Sequence, residues 1–181
     1  GLVMVLPLHT VRAGAAEGLG RLGNQADRPV LTQVFASERA ANARVSEAFG
    51  LALLGNLDMS EFAPLRYLVN TLNLKSYRDV ALTFLTELAR DPKVRDALYP
   101  ALARASKEER IGLALVLGRS GGADSVTYVE VLSRDPDPDV AGEGIYTIHD
   151  WQGGPGDGPQ ALFPANIAGT GSDGIAPETL R

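Results

Sequence analysis

The sequence predicts an all-α protein: a right-handed α-solenoid of about five helix pairs followed by an irregular C-terminal tail. Three observations lead there. The stretch Val11–Gly23, "VRAGAAEGLGRLG", returns in altered form as "ARVSEAFGLALLG" ending at Gly55 and "ERIGLALVLG" ending at Gly118. Gly23 and Gly55 are 32 residues apart and Gly118 follows 63 later, and a period in the thirties is the mark of stacked helical repeats. Composition agrees, since 6% aromatic content with abundant alanine and leucine suits helices packed on helices better than a β-sandwich. Residues 153–181 then hold seven of the 20 glycines and four of the 11 prolines, which separates a helical domain at 1–152 from an extended tail at 153–181.

Bulk properties narrow the function classes. A chain of 181 residues that is 45% hydrophobic and 22% charged can bury a sizeable core. Its net charge of -5 and the lack of any long basic run argue against nucleic acid as a partner. The absence of cysteine excludes disulfides and thiolate chemistry and leaves the cell compartment open. The apolar run Leu2–Leu8 is too short to span a membrane and lacks the basic flank of a signal peptide.

Taken in order, Leu2–Leu8 reads as the remnant of a first helix, and Thr10 as the N-cap of a helix with Val11, Ala15, Leu19 and Leu22 on its inner stripe and Gly23 as C-cap. Pro29 opens a short helix carrying Val30, Leu31, Val34 and Phe35. Ser37 is read as the cap of the helix bearing Ala41, Val45, Ala48, Phe49, Ala52 and Leu53, which Gly55 closes. Ser60 would cap the next, with Phe62, Leu65, Leu68, Val69 and Leu72 inward and Pro64 in its first turn. Ser76 would cap the helix of Tyr77, Val80, Ala81, Phe84, Leu85 and Leu88, which stops before Asp91 and Pro92. Val94, Leu98, Ala101 and Leu102 continue through Pro100, which predicts a bend because proline lacks the N–H and crowds the preceding turn. Ser106 caps a helix with Ile111, Ala114, Leu115 and Leu117 inward, broken by the pair Gly121 and Gly122. A helix at 126–134 buries Val129 and Leu132, and the last acid of "DPDPD" (Asp139) caps a final helix, 140–151, with Ile145 and Ile148 on one face.

Short helices with a proline (Pro29, Pro64, Pro100) thus alternate with longer ones carrying an arginine near their start (Arg12, Arg44, Arg78, Arg110), spaced 32, 34 and 32. This alternation resembles HEAT repeats over about residues 2–151. In that family an aspartate between the helices partners the arginine, so the resemblance implies that Arg44 and Arg78 order the repeats. Glu38 stands six residues before Arg44, whereas Leu72 and Arg104 hold the matching places before Arg78 and Arg110, and Gly142 and Glu143 replace the arginine in the fifth unit.

No reaction centre stands out. His9 and His149 lie 140 residues apart, outside any acidic cluster with metal-ligand spacing, so no metal, cofactor or catalytic residue is assigned. The His-Glu pairs of HEAT-like deoxyhypusine hydroxylases and the basic, aromatic surface of HEAT-like alkylpurine DNA glycosylases are both missing. Asp135, Asp137 and Asp139 alternate as in a calcium loop, but the prolines between them and the lack of the glycine and bidentate glutamate favour a plain turn. "GGPGDGP" from Gly153 has no lysine or helix start after it and reads as linker rather than phosphate cradle. Asp150 with Trp151 is a candidate partner anchor, set against the alternative that the indole covers the open end of the last repeat.

The expected function is therefore a non-catalytic scaffold that binds a protein or peptide on the concave face of its longer helices. A rival, carried by the resemblance alone, is a phycobilin-lyase-like subunit that handles a tetrapyrrole. Two apolar segments add expectations. Leu162, Phe163 and Ile167 of the tail should dock on the last repeat or a neighbour. Leu2, Val3, Val5, Leu6 and Leu8 leave no polar capping face, so either upstream repeats are missing or this end self-associates.

Overall fold

A computed structural model of the chain describes residues 8–153. Among these it is all-helical, with no strand. The helices are α1 (Leu8–Leu22), α2 (Arg28–Ser37), α3 (Ala41–Leu53), α4 (Pro64–Thr71), α5 (Arg78–Leu88), α6 (Pro92–Leu98), α7 (Lys107–Ser120), α8 (Val126–Leu132) and α9 (Pro138–Gly153). Successive odd-numbered helices touch, α1 on α3, α3 on α5, α5 on α7 and α7 on α9. The shorter helices lie against them, with α2 on α3, α4 on α3 and α5, and α8 on α7 and α9. No described helix is long and apolar enough to cross a membrane.

The stop signals act as their chemistry requires. Gly23 (φ 71°) and Gly55 (φ 86°) take the left-handed conformation that ends α1 and α3. Pro64 is the first residue of α4. At Pro100 the α-helix gives way to a 3-10 turn, Tyr99–Arg104, so the bend is absorbed by tightening. Ser106 forms a full capping box with Glu109 at the start of α7.

Other expected ends move. Thr10 lies inside α1, Ser37 is the last residue of α2, and α3, α4 and α5 start after Ala40, Ala63 and Tyr77 with no side-chain cap. Glu38 serves α3 instead, its carboxylate accepting from the N–H groups of Arg39 and Ala40 at 2.8 Å each. Before α9 the acceptor is Asp137, bonded to the N–H of Asp139 at 3.0 Å, rather than Asp139. Gly118 lies inside α7, which runs on to Ser120 and is broken at Gly121, the first of the glycine pair. A Cβ at Gly118 would stand 2.8 Å from Thr147 Cγ2, so that glycine lets α9 approach.

One core runs from Ala16 and Leu31 through Phe49, Leu68 and Phe84 to Leu113 and Val116, and smaller clusters gather around Trp151 and Leu132. Leu19 and Leu115, expected to be buried, are half-buried. The inner face of α1 differs most. Ala16 and Gly20 face α3, while Val11, Ala15 and Leu22 are exposed, Leu22 by 80%. The cause is close approach: a Cβ on Gly20 would sit 2.6 Å from Gly50 Cα, a contact only the small-residue face of α1 can make. In α5 Val80 points outward, and in α9 Val140, Gly144, Thr147 and Trp151 face inward while Ile145 points out. The apolar clusters of the two termini, Leu2–Leu6 and Leu162–Ile167, lie outside the described residues.

Candidate functional site

Charge pairing between successive helix pairs follows a pattern that isolates one arginine. Arg12 forms a bidentate pair with Glu38, Nε to Oε2 at 2.7 Å and Nη2 to Oε1 at 3.2 Å. Arg78 donates through Nε to the Leu72 carbonyl at 2.9 Å, and its Nη2 stands 2.6 Å from Glu108. Arg110 donates to the Ala105 carbonyl at 2.8 Å and lies 2.9 Å from Asp135. Arg95, on α6, repeats the arrangement with the Ala89 carbonyl at 2.8 Å and both oxygens of Asp124 at 2.8 Å. Each of these arginines meets an acid further along the chain, at 26 residues for Arg12 and 29 for Arg95.

The pairs shape local electrostatics. Hydrogen bonds from Arg12 and from the N–H groups of Ala40 and Arg39 hold the Glu38 carboxyl down to about 2. The Arg95 guanidinium does the same for Asp124, also about 2. Burial, reinforced by that carboxylate, pushes the Tyr99 phenol up to about 12. The calcium-like acids are likewise engaged by cations of α7: Asp135 by Arg110, and Asp137 and Asp139 by Lys107.

Arg44 occupies the equivalent place on α3 and departs from the pattern. Its guanidinium carbon lies 4.9 Å from the ring centres of both Phe35 and Tyr67, which themselves meet edge to face. It forms no ion pair or side-chain hydrogen bond among the described residues, and its buried Nε has no acceptor. Residues 69–74, where an acid at the ladder's spacing would fall, read Val-Asn-Thr-Leu-Asn-Leu. Where Arg78 joins neighbouring helices through an ion pair, Arg44 touches α2 and α4 through the rings of Phe35 and Tyr67.

Arg44 lines a cavity of about 340 Å³, together with Thr32 and Phe35 of α2, Asn56 and Phe62 of the α3–α4 connection and Pro64 at the start of α4. That connection is held by its own polar groups. Asp58 accepts from the Ser60 N–H at 2.9 Å and its hydroxyl at 2.6 Å, and the Ser60 carbonyl accepts from the Ala63 N–H at 3.1 Å. Between Ser60 and Ala63 the chain places Phe62 at φ 69°, a left-handed conformation unfavourable for an aromatic residue, and leaves it 76% exposed. Phe62 was expected on the inner face of a helix; the turn instead sets it at the cavity. On the other side of α4 a second hollow of about 710 Å³ is lined by Met59, Arg66 and Asn70 and by Ala97, Pro100 and Arg104.

Behind Arg44 lies an unpaired acid. Glu47, one turn along α3, is 0% exposed and neither carboxyl oxygen has a hydrogen-bond donor. Burial first, then the Glu38 carboxylate, push it up to about 7, against the pull of Arg12 and Arg44. Near neutrality it is only partly ionised, so Arg44 has no full internal counter-ion.

The residues singled out from the sequence fall elsewhere. Trp151 is 2% exposed, with its indole N–H donating to the Gly118 carbonyl at 3.0 Å, so its ring is engaged by the core; Asp150 beside it is exposed. His9 and His149 lie on α1 and α9, and no group of three or more potential metal ligands comes together among the described residues. Sequence reasoning passed over Phe62, Arg44 as a lining residue, and Glu47. The acid missing at 69–74 stands out only once the spacing of the other pairs is known, and Phe62 and Glu47 are ordinary apolar and acidic residues until their surroundings are known. No family model, no curated protein and no solved structure matches this chain.

Proposed function

We propose that the chain is a non-catalytic interaction scaffold: about five helix pairs stacked as a right-handed, HEAT-like solenoid that holds an extended peptide of a partner protein. The observation that carries this reading is the α3–α4 connection, which presents Phe62 at the edge of one hollow and Met59 and Glu61 at the next. A left-handed phenylalanine in water is unfavourable twice over, by backbone conformation and by exposed apolar area. Such features persist where a partner uses them. Covering the ring would gain about 2 kcal/mol, a sizeable part of a micromolar peptide affinity of about 8 kcal/mol. The hollows lie beside the shorter helices α2, α4 and α6, so the binding face proposed here is on that side rather than along the longer helices.

The test is selection of binders from a random peptide library on the full chain, followed by hydrogen-exchange footprinting of the complexes. Protection should gather in α2, the α3–α4 connection, α4 and α6, and Phe62→Ala should weaken binding without lowering the melting temperature. Failure to enrich any peptide, or protection confined to α8 and α9, would refute the reading.

A further inference from the structure

The arginine pattern points to the chemistry of the occupant. We infer that Arg44 is a receptor for a carboxylate side chain, the aspartate or glutamate of a partner peptide, with the peptide's adjoining apolar residue seated against Phe62; this rests on the interaction reading above.

Three observations converge on it. Arg12, Arg78, Arg95 and Arg110 each hold an acid supplied by a later part of the chain, and Arg44 alone of this set has none among the described residues. Arg44 also lines an open cavity, which residues 69–74 do not border, of a volume that admits one side chain and its neighbour. The rings of Phe35 and Tyr67 lie against the guanidinium and its Nε is buried, so a ligand would be held by the two terminal Nη groups, whose planar fork matches a carboxylate. Charge favours the same ligand. Arg44 is a single cation in a chain of net charge -5, so one carboxylate neutralises it whereas a doubly charged phosphate would leave excess negative charge. Phe62 and Pro64 supply the apolar wall for the adjoining residue.

The probes are the peptides enriched from the random library on the full chain, re-measured against Arg44→Met, Arg44→Lys and Phe62→Ala by fluorescence anisotropy. The expected result is an Asp or Glu at a fixed position beside an aliphatic or aromatic residue. Arg44→Met should then weaken binding about tenfold to a hundredfold, the loss expected for a charge-assisted bidentate contact, and Arg44→Lys should fall between. Replacing the peptide's acid by its amide should cost the wild type the same factor and Arg44→Met almost nothing, a coupling that unfolding of the variant could not imitate. Peptides enriched without a fixed acid, or acidic peptides that bind Arg44→Met as well as wild type, would overturn the carboxylate assignment while leaving the scaffold reading in place. Competition by inorganic phosphate at concentrations where acetate has no effect would assign the site to phosphate and overturn it too. Enrichment of no peptide would overturn both readings.

Discussion

Replacing Glu47 by glutamine isolates the least compensated charge in the core. The side chain is fully buried without a donor to either oxygen, and its carboxyl is raised from 4.5 to about 7, chiefly by burial. At about 1.4 kcal/mol per pH unit, that separation corresponds to about 3 kcal/mol. The direction follows from proton counting. Between 4.5 and about 7 the folded chain binds a proton at Glu47 that the unfolded chain has released, so stability falls as pH rises. The contribution is complete below 4.5 and lost above about 7. Glu38 and Asp124, held at about 2, act in the opposite sense in a lower window, losing their contribution only as pH falls from 4.5 and 3.8 towards 2.

Urea unfolding followed by circular dichroism at about pH 5 and about pH 8 should therefore show the wild type losing about 2–3 kcal/mol, with Glu47→Gln losing little. At the higher pH the variant should be the more stable by about 1–2 kcal/mol, less than the full difference because a buried amide without partners carries its own cost. A variant with the same pH dependence as the wild type, or a wild type that is flat across this range, would refute the reasoning.

Other perturbations read other parts of the structure. Phe49→Ala, which removes a fully buried ring stacked on Phe84 at 4.1 Å, should cost about 3–5 kcal/mol in the same assay. Gly20→Ala should cost about 1–3 kcal/mol, because its Cβ would stand 2.6 Å from Gly50 Cα and push α1 off α3; hydrogen exchange should rise in α1 alone. Phe62→Gly should raise stability by about 1 kcal/mol through relief of the left-handed strain while weakening peptide binding, and a loss of stability would mean that the ring is structural. Light scattering over a range of concentrations should show association through the exposed stripe of α1, with Val11→Glu and Leu22→Glu together making the chain monomeric.

Much of the architecture was legible because its signals are local. A glycine that must be left-handed, a proline at a first helical turn and a Ser-x-x-Glu box each act through neighbouring residues, so Gly23, Gly55, Pro64 and Ser106 could be read in advance. What failed depended on distance between helices. Hydrophobicity chose Val11 and Leu22 for the inner face of α1, but contact with α3 goes to the face that can come closest, and that face is made of alanine and glycine. The same holds for Gly118, which reads as a stop by itself and is a seat for Thr147 in the fold. At the candidate site the arginines were legible and their partners were not, because the resemblance to HEAT repeats directs attention six residues back. There Leu72 offers Arg78 a backbone carbonyl, while the acid comes from further on.

On the proposed reading, the break at Arg44 is a place kept for a ligand. A carboxylate opposite Arg44 would need one acidic residue among 69–74, a change of the kind made at Glu38, Glu108, Asp124 and Asp135 for the other arginines. In its place the chain keeps three unfavourable features together: a cation with no acid opposite, a buried acid with no donor, and an exposed phenylalanine at positive φ. Each alone would be a small local cost. Two of them, Arg44 and Phe62, line one cavity of about 340 Å³, and a ligand that supplies both a carboxylate and an apolar side chain would neutralise the one and cover the other, while Glu47 lies outside that lining. The same geometry links binding to pH. A peptide acid at Arg44 weakens the pull of that arginine on Glu47, so binding should raise the Glu47 value and proceed with net proton uptake near pH 7. Calorimetry in buffers of different ionisation enthalpy would measure that uptake, and none at all would mean that Arg44 and Glu47 act independently.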